Sequence, residues 1–195
     1  MSPRREVHTR AFVLYRRAAG EGSARVSMYT EHLGLIAPLA TSGREERSKL
    51  RAHLVSGTRG TYSLVKGKGE WRITGVVGAR TSYYECSLPE AQQAAARVVG
   101  LVGQFVHGEG ADPALFEAVW DFLTVVPTLT PQDVTIAEYV AVLRILAALG
   151  YVAKSDETEV LFGPTYSAAL LAHAAEKRSV LVKAINTGLG ASGLD

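Results

Sequence analysis

Five histidines, a single cysteine and one pair of adjacent glutamates are the side chains here best suited to proton, metal or nucleophilic chemistry. His8, His32, His53, His107 and His173 are never four residues apart, so no helix offers two of them together to a metal ion. His107 closes a helical pattern just before Gly108, where a cation complements the helix dipole, so a structural role is favoured. Cys86 has no histidine nearby in sequence to activate it, and a buried or incidental thiol is the simpler reading. One cysteine excludes an internal disulfide and a multi-cysteine zinc site, and fits a reducing cytosol. Glu45 and Glu46 lie between Arg44 and Arg47, an arrangement suited to solvated ion pairing rather than acid–base work. Gly67-x-Gly69 and Gly108-x-Gly110 complete neither a dinucleotide fingerprint nor a phosphate loop, and read as turns. These residues build no catalytic constellation. The expectation is a binding protein rather than an enzyme, with no cofactor and no metal.

The cations are more informative. The 195 residues carry 21 Lys and Arg against 19 Asp and Glu. Residues 1–80 hold 15 of the basic and 6 of the acidic groups, a balance of +9, and the remainder is −7. A strongly basic half suits a polyanion. Arg44, Arg47, Lys49 and Arg51 share one short segment; Arg10, Arg16 and Arg17 flank the first apolar run; Lys66, Lys68 and Arg72 surround a glycine turn. Such a set tracks phosphates without reading bases. Tyr15, Tyr29, Tyr62 and Trp71 lie among these cations, where exposed rings stack on unpaired bases. A small barrel also needs rings for its core, the favoured reading for Trp71. Tyr15, beside Arg16 and Arg17, is the better stacking candidate. The bland reading of the basic half is that its charges only keep a β-rich segment soluble.

The elements that position these groups change character near residue 80. Before it the patterns read as strands at Val7–Tyr15, Ala24–Thr30, Leu35–Ala40, Thr61–Lys66 and Glu70–Val77. In the first, Phe12 and Leu14 fall on one face and Val13 and Tyr15 on the other. Pro38 marks an edge or bulge. Gly67-Lys68-Gly69 and Gly20-Glu21-Gly22 supply tight turns. Residues 43–53 read as a loop or short helix. Five short strands in this length suggest a small closed barrel of the OB type. Beyond residue 85, Ser87-Leu88-Pro89-Glu90 opens a helix to about His107. Asp112-Pro113 opens another to about Val125, and Thr130-Pro131 a third that ends before Gly150. A last helix spans about Ser167 to Ile185. The fold class is therefore α+β: a five-stranded OB-like barrel over 1–80, a helical domain over 81–187, and a Gly-rich disordered tail over 188–195. With 47% hydrophobic residues, the composition suits a globular protein. Residues 1–6 lack the apolar run of a signal peptide, and no stretch reaches the roughly 18 apolar residues of a membrane span. A soluble, cytoplasmic protein with no membrane partner is expected.

The order of these features resembles the RecO family of bacterial recombination mediators. The strand from Thr9 to Tyr15 is similar to the opening strand of that family, and Gly20-Glu21 sits at its first turn. Val26 to Gly34, Leu35 to Arg44, and Ser48-Lys49-Leu50 with Leu54 resemble the following elements in sequence. Farther on, Ala111 to Glu117 looks like the start of the family's second helix, and Val142 to Tyr151 like its long helix closing in Leu-Gly-Tyr. The likeness covers roughly residues 7 to 152. It implies a barrel that binds single- and double-stranded DNA and anneals complementary strands. It also implies partnership with RecR in loading RecA, and recognition of the acidic C-terminal tail of the single-strand-binding protein (SSB) by the helical domain.

The chain departs from the family in two respects. Many members carry a four-cysteine zinc site after the Leu-Gly-Tyr helix, whereas Val152 to Gly163 has no cysteine, so no zinc is expected. The helical half is acidic, and an acidic tail needs cations; Arg144, on the Leu-Gly-Tyr helix, is the candidate, though it also fits a side chain snorkelling from an apolar helix. The alternatives are an OB-fold adaptor that binds proteins without DNA, and a small-ligand or RNA-binding barrel.

Overall fold

The Val- and Tyr-rich segments before residue 80 form a closed barrel in the computed structural model, which describes residues 6–20, 22–41, 50–67, 69–108, 110–163 and 165–193. Strand β1 (Glu6–Ala18) is its longest element. It pairs antiparallel with β2 (Ala24–Thr30) on one side and with β5 (Thr58–Lys66) on the other. β5 turns into β6 (Trp71–Thr81) through a hairpin in which the Gly67 amide donates to the Glu70 carbonyl at 2.8 Å. Gly69 takes φ +96° there, a conformation that L side chains resist.

The third expected strand is split. β3 (Gly34–Ile36) pairs with β2, the chain breaks at Ala37-Pro38, and β4 (Leu39–Ala40) then pairs antiparallel with β2 and parallel with β6. Proline has no N–H to continue a ladder. Its carbonyl still accepts from the Val26 amide at 3.0 Å. The ring β1-β5-β6-β4-β2, closed by β1 against β2, is thus a five-stranded barrel of the OB type. Inward positions of the strands, Ala11, Val13, Val26, Met28, Ile36, Tyr62, Leu64 and Ile73 among them, build one core together with Leu54 from the segment before β5. Buried Tyr62 donates its hydroxyl to the His53 carbonyl at 2.8 Å, so the core ring leaves no unpaired polar atom. His53 belongs to a 3-10 turn, Arg51–His53, inside the segment read as loop or short helix.

After Thr81 the elements are helical: α1 (Ser82–Glu85), α2 (Pro89–Phe105), α3 (Pro113–Val125), α4 (Pro131–Ala148), α5 (Ala168–Glu176) and α6 (Arg178–Ser192). Three of the six begin at proline, where the missing N–H costs no helical hydrogen bond. Ser167 caps α5 by accepting from the Leu170 amide at 3.1 Å. α4 is the most buried helix and packs on α5 and α6. The single last helix expected from Ser167 to Ile185 is interrupted at Lys177 and then runs on to Ser192. The loose tail expected from Gly188 is helical through residue 192. Gly188 is buried there, and a Cβ on it would lie 2.6 Å from Val152 Cγ2 and 3.2 Å from Leu146 Cδ1. The glycine that suggests disorder in sequence permits close packing instead.

The chain forms two compact units, residues 1–85 with 99–113, and residues 86–98 with 114–195. The charge distribution suggests a contiguous division at 80/81. Within the first unit, the Tyr29 hydroxyl accepts from the Asp112 amide at 3.0 Å and donates to the Gly110 carbonyl at 3.4 Å. No described helix is long and apolar enough to cross a membrane.

Candidate nucleic-acid interface

A one-residue bulge in β1 decides which side chains reach the barrel's outer face. Val13 pairs with Met28, and both lie in the core, but Tyr15 pairs with Ser27, one residue along β2 and therefore on the opposite face. The sequence places Val13 and Tyr15 on the same face. The extra residue at Leu14 reverses this and turns Tyr15 and Arg17 outward. Tyr15 is 44% exposed, and the Arg17 guanidinium lies 4.9 Å from its ring centroid. That contact uses the quadrupole of the ring while leaving the cation at the surface.

The register carries this outward row across the barrel. Arg17 stands opposite Arg25 on β2, Arg25 opposite Leu39 on β4, and Leu39 opposite Arg72 on β6. Like charges directly opposite each other repel, so such a row needs anions. Glu70, at the foot of the β5–β6 hairpin, supplies one. Its Oε2 lies 3.2 Å from Arg25 Nη2 and its Oε1 3.6 Å from Arg72 Nη2. Arg25 also donates from Nη1 to the Ala37 carbonyl at 3.0 Å, which fixes its guanidinium over the broken strand. One carboxylate against three arginines leaves the row positive. The Arg25 and Arg72 side chains stay 48% and 57% exposed. Lys66, last in β5, pairs with Trp71 on the face of the core residues Leu64 and Ile73 rather than on the row, with its Nζ 5.3 Å from the centroid of Trp71. Arg16 is exposed at the same end of β1, opposite Val26.

The structure thus brings together Tyr15, Arg17 and Arg72 from the sequence-derived set, and adds Arg25, which that reading missed. The signal for Arg25 is arithmetic: it and Arg17 are equally far in sequence from the midpoint between β1 and β2, which sets them opposite in an antiparallel pair. Arg10 is not part of the row. It forms a bidentate pair with Glu31, Nε to Oε2 at 2.9 Å and Nη2 to Oε1 at 2.7 Å. The two charge-assisted bonds hold the Glu31 carboxyl below the usual carboxylate range. Arg51 is exposed on its 3-10 turn. Arg44, Arg47, Lys49 and Lys68 lie outside the described residues. Tyr29 and Tyr62 are buried and unavailable for stacking, and Trp71 packs partly on the core.

Arg144 does not snorkel. It is only 7% exposed, donates to the carbonyls of Leu161 at 2.7 Å and Gly163 at 2.6 Å, and lies 4.6 Å from the Tyr166 ring centroid. Its cation holds the turn after α4 in place. It also borders a cavity of about 650 Å³, lined by Glu117, Asp121, Lys154 and Phe162 among others. Lys154 Nζ sits 4.8 Å from the Phe162 ring. Among the described residues, no three His, Cys, Asp or Glu side chains converge as metal ligands.

Comparison with known proteins adds a family. The family described as "Recombination protein O N terminal" matches residues 1–80, the barrel. A DNA repair protein RecO from Dehalococcoides mccartyi strain 195 is 29% identical over 136 residues, which is 68% of this chain and 53% of the relative. The protein of the same name from strain CBDB1 is 26% identical over 154 residues, 77% of this chain and 59% of the relative. The chain thus matches little more than half the length of these curated relatives.

Proposed function

We propose that the chain is a member of the RecO family, to which its barrel and its curated relatives are similar, and that it is a DNA-repair protein, a recombination mediator that binds DNA and performs no covalent chemistry. The observation that carries this reading is the outward row Arg17, Arg25 and Arg72, with Tyr15 exposed beside it. Guanidinium groups spaced along a barrel face neutralise successive phosphates and release their counterions. The same neutralisation lets two complementary strands approach each other, which is the physical requirement for annealing. Tyr15 offers a ring to an unpaired base, so single strands are bound at least as well as duplex. Arg16 and Lys68 extend the phosphate track, and Arg44, Arg47, Lys49 and Arg51 contribute from the segment before β5.

Partnership with RecR in RecA loading, and recognition of the acidic SSB tail, rest on family membership. For the tail, Lys154 at the rim of the cavity beside α4 is a better receptor than Arg144, whose donors already serve carbonyls. The competing reading, an adaptor that has kept the fold without DNA binding, draws on the acidic helical half.

Fluorescence anisotropy of a labelled single-stranded oligonucleotide, titrated at several salt concentrations, separates the two. If about five phosphates are neutralised, log K falls against log salt with a slope of roughly −3.5. The triple variant Arg17→Glu, Arg25→Glu, Arg72→Glu should lose that binding and keep its fold. A folded wild type that binds no oligonucleotide at low salt, or binds with flat salt dependence, refutes the DNA reading and leaves the adaptor.

A further inference from the structure

Among the described residues, Glu70 is the acid that meets this row of arginines, and its position is informative. It bridges two strands that do not neighbour each other in the barrel. One carboxylate oxygen meets Arg25 of β2 and the other meets Arg72 of β6, with β4 between them. A pair of oxygens spanning two guanidinium groups is the geometry in which arginines hold the two non-bridging oxygens of a phosphodiester. The contacts are long, 3.2 and 3.6 Å, where a tight carboxylate–guanidinium bond is about 2.7–2.9 Å. Arg10 and Glu31 achieve the shorter distances in the same barrel. Glu70 is therefore a loose occupant. It stands at the end of a glycine hairpin, partly open to solvent, and nothing lies within 4 Å of where a Cβ on Gly69 would be.

We infer that Arg25 and Arg72 form a subsite for one backbone phosphate of a nucleic acid strand, and that Glu70 occupies this subsite in the free protein and is displaced when the strand binds. The inference rests on the DNA-binding reading above and assigns that interface its central contact and a built-in competitor. Glu70 lowers the affinity for any strand by the work of leaving its two arginines. It also screens the repulsion between those arginines when no strand is present, which accounts for an acidic residue on a basic face.

The test is oligonucleotide anisotropy with wild type, Glu70→Gln, Glu70→Asp, Arg25→Ala and Glu157→Gln. Glu157 is an exposed acid of the other compact unit, so Glu157→Gln repeats the charge change away from the barrel. Glu70→Gln should bind about threefold to tenfold more tightly than wild type and steepen the salt slope by about 0.7, one further phosphate contact on a single strand. Glu70→Asp should bind like wild type, Arg25→Ala more weakly, and Glu157→Gln unchanged. Inorganic phosphate at constant ionic strength should not compete at millimolar levels, because a free anion lacks the neighbouring contacts of a strand. Equal affinity of wild type and Glu70→Gln, or an equal gain from Glu157→Gln, overturns the subsite while leaving DNA binding intact. Competition by inorganic phosphate also overturns it, in favour of a free-anion site. Absence of oligonucleotide binding by the folded wild type removes the DNA reading itself and the subsite with it.

Discussion

Replacing Gly188 by alanine distinguishes a packed final helix from a loose tail, because the two give opposite signs. In an exposed or fraying helix alanine stabilises by up to about 1 kcal/mol over glycine. At Gly188 the new methyl would sit 2.6 Å from Val152 Cγ2 and 3.2 Å from Leu146 Cδ1, well inside contact distance. Val152 is β-branched and stiff at χ1, and its amide is held by the Leu146 carbonyl at 3.3 Å, so it cannot turn away freely. Forcing a methyl into such a place costs about 1–3 kcal/mol. With the propensity gain set against it, the net loss is about 1 kcal/mol, or about 2–4 °C in Tm for a chain of this size. Gly190, two residues on in the same helix, is the internal control: nothing lies within 4 Å of its Cβ position. Gly190→Ala should stabilise by a few tenths of a kcal/mol, up to about 1. Thermal and urea unfolding followed by far-UV circular dichroism reads both variants. A Gly188→Ala protein as stable as Gly190→Ala would refute the packing and restore the loose tail.

Two further outcomes concern ion pairs. The Glu31 carboxyl is held low by Arg10, so the pair adds stability above the unfolded pKa of glutamate and loses it as pH falls through the folded value. Glu31→Gln should therefore melt below wild type at neutral pH, with the gap closing as acid protonates the carboxyl; a difference that stays constant down to the acid limit of folding would refute the assignment. Arg144→Met leaves the carbonyls of Leu161 and Gly163 without their donor and should cost about 2–4 kcal/mol, with oligonucleotide affinity unchanged. Arg144→Lys should recover little of this loss, since one ammonium nitrogen cannot stand at the separate positions that Nε and Nη2 occupy. A stable Arg144→Met protein would free that cation for a partner.

What the sequence makes legible follows from local physics. The glycine hairpin at 67–70, the prolines that open α2, α3 and α4, and the serine cap of α5 each act within a few residues, and each marks its element. Pro38 marks the interruption of the third strand for the same reason. The bulge at Leu14 leaves no such mark, because it is set by pairing with β2, and with it goes the face of Tyr15 and Arg17. Arg25 sits in an ordinary strand, and only the register reveals that it faces Arg17. Arg144 and Gly188 mislead in opposite directions: a cation on an apolar helix suggests a surface, and a glycine-rich end suggests disorder, whereas both are buried because segments distant in sequence pack on them.

The split third strand has a consequence for how binding and folding are linked. β4 holds only two residues and meets β6 at a single register pair, Leu39 with Arg72, so the ring is closed there by its shortest rung. Arg25 on β2 and Arg72 on β6 stand on either side of β4 there. An anion gripped by both would be a strap across this short joint, and by mass action a ligand that requires the joint closed must hold it closed. Opening of this joint and binding of a strand would then oppose each other, each lowering the population of the other.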